Sequence, residues 1–405
     1  MAELAVLLYG APVGVIQGDD WRAFDFRVVP AAFDRFEMLS TALSESIPLS
    51  LAPPRGDARK RRNFFAELLP EGPALRFMAE RARVAPEDVV GLLRRYGRDV
   101  AGAVEVFDPA SGIESHEPDL RRLAPAQVRE IATAQAATPL GNDPDAGRTS
   151  LGGVQGKIAL ALVDGRWNQP LGGFPSTHIV KPASPERPAM VFDEEYGARI
   201  ARRLALLEYE TWIEDFAGLD ALVVERYDRG PGNPPARVHQ EDMNQALGAS
   251  GNQKYQEHGG VVTLRRIAAV LSRYSAADAV RLLRLVVLAA ALGNLDLHAK
   301  NISILRPEGG PATLAPAYDM VPWFAQPTDG RLALAVNGLY RLADLTGADL
   351  AAEGEAWGIE KAAAVVGQTL EATLAAVAAE VPHPQAHPDL RPLIEANTRR
   401  LALGR

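Results

Sequence analysis

The stretch Ala276–Gly293, AADAVRLLRLVVLAAALG, limits the fold more than any other part of the sequence. A helix that is apolar nearly all round needs protein on every side, so this one predicts a helical lobe packed around it. Gly293 is a natural C-cap, since glycine takes the left-handed cap conformation without steric cost. Directly at the cap begins GNLDLHAKN, Gly293–Asn301. It places Asp296, His298, Lys300 and Asn301 at the end of a buried helix, and packing alone does not ask for such residues there.

The chain has 405 residues, too many for one ordinary core, so two or three domains or lobes are expected. An apolar fraction of 47% with 23% charged residues marks a globular rather than a disordered chain. A net charge of -8 argues against sequence-blind coating of nucleic acid. The absence of cysteine excludes a disulfide framework, a thiolate zinc site and a cysteine nucleophile, and fits a reducing compartment. MAELAVLLYG has an early Glu and no basic n-region, unlike a signal peptide. Leu285–Leu292, read as the longest apolar run, is too short to span a bilayer. The expectation is a cytoplasmic, soluble protein without a membrane partner.

LAVLLYG and PVGVI read as short strands, and RRNFFAELLPEG and APEDVVGLLRRYG as helices, giving a small α+β unit over residues 1–110. From 111 to 149 the chemistry is that of a linker or mobile loop. Residues 150–230 read as a strand-rich lobe: KIALALVDGRW with a hairpin at Asp164-Gly165, STHIVKP ended by Pro182, an amphipathic helix with Tyr196, Ile200, Leu204 and Leu207 on one face, and ALVVERYDR. Residues 231–405 read as a mainly helical lobe. The basic run Arg55–Arg62 reads as a solvated loop, with contact to DNA or an acidic partner as the other reading.

Asp296 and Asn301 stand in Asp-x4-Asn spacing, and Asp319 follows in PAYDM. A proton-accepting Asp, an Asn carbonyl oxygen and a second carboxylate are what Mg²⁺-dependent phosphoryl transfer requires. The Asp/Asn pair alone equally fits plain capping. Lys181 ends a strand upstream of a helix bearing Glu194 and Glu195, as a phosphate-binding Lys with a helix Glu partner would. Taken singly, Lys181 is a solvated strand end and Glu195 an i,i+4 partner of Arg199. Ser150–Lys157, SLGGVQGK, is Gly-rich enough to offer backbone N–H groups to phosphate. It is not a Walker A loop, because Leu151 replaces the first Gly and Ile158 the Ser/Thr. A plain Gly turn entering a strand fits it as well. Glu225, Arg226 and Tyr227 would lie where backbone groups can meet an adenine, or simply end a sheet strand.

Taken in order, these motifs resemble the HipA-like serine/threonine kinases, the toxin halves of bacterial type II toxin–antitoxin pairs. The resemblance runs through FFAELLPEG, YGRDVAGAVEVF, SLGGVQGKIAL, THIVKP, VVERYDR, HQEDMNQALG, KYQEHGG, GNLDLHAKNISIL and LAPAYDM. It implies an α+β, bilobal protein-kinase-like fold behind an N-terminal α+β module. It implies ATP and Mg²⁺, with Asp296 as the catalytic Asp and Asn301 and Asp319 as metal ligands. Gly152, Gly153, Val154, Gln155, Gly156 and Lys157 would form the phosphate loop. Lys181 would bind ATP phosphates, with Glu195 as its helix partner, and Glu225, Arg226 and Tyr227 would frame the adenine. His298 and Lys300 would touch phosphate, with hydrogen bonding that fixes the loop as the other reading for His298. Ser150 is the family's autophosphorylation position, beside Thr149, and self-inactivation by ejection of the loop follows. Gly156 departs from the bulkier residue more usual there. The implied partners are a cellular protein substrate, translation-related by analogy, and a helix-turn-helix, HipB-like antitoxin. That antitoxin would make most of the operator DNA contacts and bring a homodimer of this chain into its complex. The competing readings are a small-molecule kinase, a non-catalytic module that binds nucleotide and antitoxin, and a metallohydrolase built on Asp296 and His298.

Overall fold

Alternation of apolar and polar residues builds the N-terminal sheet. In β1 (Glu3–Leu8) the side chains of Leu4, Val6 and Leu8 are fully buried. It pairs antiparallel with β2 (Ala11–Gln17), which in turn pairs with β3 (Asp25–Val28). Helices α1 (Ala58–Ala66), α2 (Gly72–Ala82) and α3 (Val89–Tyr96) follow. Then β4 (Val104–Phe107) returns beside β1, giving the order β3-β2-β1-β4. The core between sheet and helices is aromatic: Phe65 lies 5.0 Å from Phe26 and 5.1 Å, edge-on, from Phe64. This computed structural model describes residues 3–18, 23–110, 117–134, 140–142, 149–152, 155–324 and 326–404.

The basic run divides by role. Arg55, Arg59 and Lys60 are exposed, whereas Arg61 is buried and pairs with Asp25 at 2.9 Å. It is therefore a helix with one structural Arg rather than a solvated loop throughout.

A second sheet has the order β5-β7-β6-β8-β10-β9. Its strands are β5 (Asp119–Arg122), β6 (Ile158–Val163), β7 (Arg166–Leu171), β8 (His178–Pro182), β9 (Thr211–Asp215) and β10 (Asp220–Glu225). β6 and β7 turn on Asp164 and Gly165, both at positive φ (49° and 68°), which is the hairpin geometry expected from the dipeptide. Residues 111–149, expected as a linker, contribute β5 at the edge of this sheet and helix α4 (Pro125–Thr133). The β5 sequence, DLRR, is mostly exposed, so no apolar alternation announced it.

The chain forms two compact units. The first comprises Met1–Pro182, Glu214–Gly251 and Leu305–Gly310; the second comprises Ala183–Ile213, Asn252–Ile304 and Pro311–Arg405. The first unit also holds β11 (Arg229–Gly232), β12 (Pro235–Arg237), β13 (His239–Asp242) and α6 (Met243–Ala246). A capping box starts α6: Gln245 N–H donates to Asp242 Oδ1 at 2.9 Å, and Gln245 Oε1 accepts from Asp242 N–H at 3.0 Å.

The second unit is mainly helical: α5 (Met190–Arg203), α7 (Leu264–Leu271), α8 (Ala276–Leu292), α9 (Gly347–Ala356), α10 (Ala362–Ala379) and α11 (Leu390–Leu403). The apolar α8 packs against α7, α9, α10 and α11, and Leu282, Leu283, Val287, Leu288 and Leu292 are completely buried. It ends in a Schellman motif: Asn294 N–H bonds Ala289 C=O at 2.8 Å, and Gly293 N–H bonds Ala290 C=O at 3.2 Å. Gly293 has φ 68°, and a Cβ there would stand 2.4 Å from the Phe324 ring. Among the described residues, the helix long and apolar enough to cross a membrane, by length and composition, is α10 rather than the Leu285–Leu292 run. It packs against α8, α9 and α11, and Val366, Leu370 and Val377 are buried.

Candidate active site

The C-cap of α8 launches the Asp296 loop, and its side chains are tied to one another. Asn294 bridges two segments: its Oδ1 accepts from Asp296 N–H at 3.1 Å, and its Nδ2 donates to the Asp319 carbonyl at 3.2 Å. Asn301 Nδ2 donates to the Asp296 carbonyl at 2.9 Å. That bond fixes the amide, because only its nitrogen can donate to a carbonyl, and Oδ1 is left as its donor toward a cation. The Tyr318 hydroxyl donates to the Lys300 carbonyl at 2.7 Å and meets Ser303 Oγ at 2.6 Å. Asn294 and Tyr318 thus hold the Asp319 segment against the Asp296 loop. Asp319 itself sits at φ 57°, a left-handed conformation that a non-glycine residue seldom adopts and that tends to mark functional sites.

The Asp296 side chain keeps 37% of its surface accessible, while His298, at 8%, is buried. Lys300 and Asn301 are buried as well. Capping does not account for the pair: Gly293 closes α8, and His298 precedes the short 3-10 turn Ala299–Asn301. The Tyr255 hydroxyl donates to Asp296 Oδ1 at 3.2 Å. His298 Nε2 lies 3.9 Å from the other oxygen, Oδ2. An amide oxygen on Asn301 and a carboxylate on Asp319 are hard donors, and this set fits a Mg²⁺ ion. Among the described residues, no group of three His, Asp or Glu side chains could hold a metal ion, so the metallohydrolase reading has no site there.

In the first unit, β8 carries Lys181 opposite Leu222 of β10, and Lys181 is buried rather than solvated. Lys157 Nζ donates to the Gly152 carbonyl at 2.6 Å, closing the Gly-rich loop on itself. Gln155 and Gly156 lie between them, half-buried and exposed. Gly153 and Val154 lie outside the described residues. Glu225 is exposed at the end of β10, and Tyr227 is half-buried with its hydroxyl on Gln240.

The backbone and side chain of Arg226 are both engaged within the first unit. Its N–H donates to the Thr177 carbonyl at 2.9 Å, and its carbonyl accepts from Arg229 N–H at 3.2 Å. Its guanidinium grips Asp228 at 2.7 Å in a buried network. In that network Asp99 meets Arg229 at 2.9 Å and Arg237 at 3.1 Å, while Arg226 also bonds Ser176 Oγ at 2.8 Å and the Val100 carbonyl at 3.0 Å. Burial alone would raise the Asp99 carboxyl, but Arg226, Arg229 and Arg237 outweigh it and hold its pKa at about 2. Asp228 is likewise raised by burial and lowered further by Arg226 and Arg229, and ends well below the usual range. Burial and the repulsion of Arg226 lower Arg229 to about 10.

Ser150 hangs from this network and is fully buried. Its N–H donates to the Asp99 carbonyl at 3.0 Å, and its hydroxyl donates to the Leu68 carbonyl at 2.8 Å. Thr149 is held at both backbone groups by Asn142, at 2.7 and 2.8 Å. In the second unit, Glu195 pairs with Arg199 at 2.7 Å, the i,i+4 arrangement of an ordinary helix. Asn294 and Tyr255 were not singled out as functional residues from the sequence. The only signal was that each falls inside a motif, GNLD or KYQEHGG.

A model of the HipA N-terminal domain matches residues 4–107, and a model of the HipA-like C-terminal domain matches residues 149–382. The chain belongs to the HipA family. The HipA fold extends over its whole length: HipA of Shewanella oneidensis MR-1, solved with HipB and its operator DNA, superposes over 99% of this chain and 96% of that one. The TM-score is 0.79 at 23% identity. The serine/threonine-protein kinase toxin HipA of Shewanella oneidensis is 30% identical over 295 residues, covering 69% of this chain and 66% of the relative. Y4mE of Sinorhizobium fredii is 33% identical over 314 residues, 74% of each chain. The N-terminal and C-terminal family models fall on either side of residues 108–148, whereas Met1–Pro182 belong to one compact unit.

Proposed function

We propose that this HipA-family chain is an ATP-dependent serine/threonine-protein kinase that acts on a cellular protein and on its own Ser150. The observation that carries the reading is the accessible Asp296 carboxylate with the fixed Asn301 amide on its own backbone and Asp319 strapped alongside. The Ser or Thr hydroxyl oxygen attacks the γ-phosphorus, its proton passes to an Asp296 oxygen, and the bond from phosphorus to the ADP oxygen breaks. Asn301 and Asp319 would hold Mg²⁺, which supplies charge neutralisation on the phosphates. In the first unit, Lys181, His178–Pro182 around it, and the loop Gly152–Lys157 are the phosphate-binding elements, and Glu225 and Tyr227 lie toward the base. His298 and Lys300 are the phosphate-side groups of the second unit.

In this reading residues 1–110 are the N-terminal module, 111–149 the connecting segment, 150–230 the ATP-binding lobe and 231–405 the helical lobe. The partner is a HipB-like helix-turn-helix antitoxin that carries the operator DNA contacts and pairs two copies of this chain, in the cytoplasm. Its support is the shared fold with a HipA solved in such a complex. Because Ser150 is buried on Leu68, it can accept phosphate only after leaving that seat. A phosphate adds about -1.5 to -2 charge, which the Leu68 carbonyl would repel, so the modified segment does not return.

The test is autophosphorylation with Mg²⁺ and γ-labelled ATP, with label located by peptide mass spectrometry. Label on Ser150 that vanishes in Asp296→Gln is expected. Absence of label in unmodified wild-type protein that binds ATP would overturn the protein-kinase reading.

A further inference from the structure

The Asp296 carboxylate has two oxygens, and only one can face the acceptor hydroxyl. We infer that Tyr255 positions this carboxylate for the transfer by holding Oδ1. The inference rests on the kinase reading above and concerns the same carboxylate. The Tyr255 hydroxyl donates to Oδ1 at 3.2 Å, and His298 Nε2 stands 3.9 Å from Oδ2.

The ring of Tyr255 is itself fixed. His298 stands edge-on to it at 5.4 Å and 77°, and His258 at 6.1 Å and 78°. The Lys254 ammonium lies 5.2 Å from the ring centroid, a cation–π placement. The backbone next to it is fixed as well: Tyr255 N–H donates to the Asn252 carbonyl at 3.1 Å, and Gln256 N–H to the Ala333 carbonyl at 3.0 Å. A rigid phenol that holds the proton-accepting group is a positioning residue rather than a packing residue. It limits rotation of the carboxylate, so the reacting oxygen need not be reoriented in each turnover. In this site Tyr255 restrains the side chain of Asp296, while Asn301 and Asn294 restrain its backbone.

The test is Tyr255→Phe, which removes the hydroxyl and keeps the ring. The full chain is followed in single-turnover autophosphorylation across a range of ATP concentrations, and its melting temperature is read with and without ATP. A roughly ten- to hundredfold fall in the maximal rate is expected, as a misplaced reacting group gives. The ATP concentration for half-maximal rate, the melting temperature and its rise with ATP should stay as in wild type. A maximal rate within twofold of wild type would overturn the assignment. So would a loss that appears only in ATP affinity or in melting temperature, since a structural role gives that pattern. If wild-type protein transfers no phosphate at all, the kinase reading fails first, and the two failures are told apart.

Discussion

Replacing Asp99 with Asn tests whether the buried ionic network holds the first unit together. The side chain is 4% exposed and meets Arg229 at 2.9 Å and Arg237 at 3.1 Å. It also accepts from Ser176 N–H at 3.2 Å and from Thr149 Oγ at 3.3 Å. Asn keeps the shape and removes the charge. Arg226 and Arg229 would then share Asp228, Arg237 would keep only Glu105 at 3.8 Å among the described carboxylates, and an amide N–H would face at least one guanidinium. Breaking a buried pair from one side costs about 3–5 kcal/mol, because the surviving charge stays desolvated. For a unit of this size that corresponds to a fall of roughly 10 °C in melting temperature. The comparison is Asp108→Asn, which breaks an outer pair with Arg94 at 3.3 Å, where Arg94 is 40% exposed. That pair should be worth under about 1 kcal/mol. Urea unfolding of both variants supplies the measurement, with hydrogen exchange at the Ser150 amide as a local readout, since that amide bonds the Asp99 carbonyl. An Asp99→Asn loss no larger than that of Asp108→Asn would refute the reasoning.

Asp296→Asn should lower phosphate transfer by roughly 10² to 10⁴ while leaving ATP-induced thermal stabilisation in place; retained transfer would remove Asp296 from the chemistry. Gly293→Ala meets both a φ of 68° and the Phe324 ring at 2.4 Å. A loss of about 2–4 kcal/mol in urea unfolding is expected, and a loss below about 0.5 kcal/mol would show that the segment yields freely. Burial holds the imidazoles of His178 and His239 at about 4, although Glu214 raises the first and the Leu43 carbonyl the second. A lowered His pKa means that the unfolded chain takes up the proton first. Stability should therefore fall as pH drops from about 6.5 toward 4, by up to roughly 3 kcal/mol per histidine. Glu241, raised by burial despite Arg306, acts with the opposite sign above its ordinary value. His239→Gln should flatten the acid slope in a pH series of melts, and an unchanged slope would show that His239 does not titrate there.

Local patterns were legible wherever one short stretch holds the whole reason for its structure. The Asp164-Gly165 turn, the apolar α8 and its Gly293 cap each follow from neighbouring residues alone. β5 was not legible, because an exposed edge strand carries no apolar alternation and is defined by the partner it pairs with. The network around Asp99 was hidden for a related reason. Its members lie at 99, 176, 226–229 and 237, and only the fold brings their charges together. Arg226 belongs to that network: by position it follows a strand, while by contact it is an internal brace.

The active-site residues divide along the same line. Asp296, Asn301 and Asp319 could be proposed from the sequence, because in the kinase reading phosphoryl transfer prescribes the residue types. Asn294 and Tyr255 could not, because their task is to hold those residues, and many side chains at many distances can do that. Asn294 bonds both the loop and the Asp319 carbonyl, and Tyr255 comes to Asp296 from a separate segment of the chain. Chemistry constrains which atoms react, whereas geometry leaves open which residues fix them in place. Comparing Tyr255→Phe with Asp296→Asn separates the two kinds of contribution. The first should leave a slowed enzyme that still transfers phosphate to the same serine, and the second an enzyme with almost no transfer. Equal loss in both would mean that holding the carboxylate is as essential as having it.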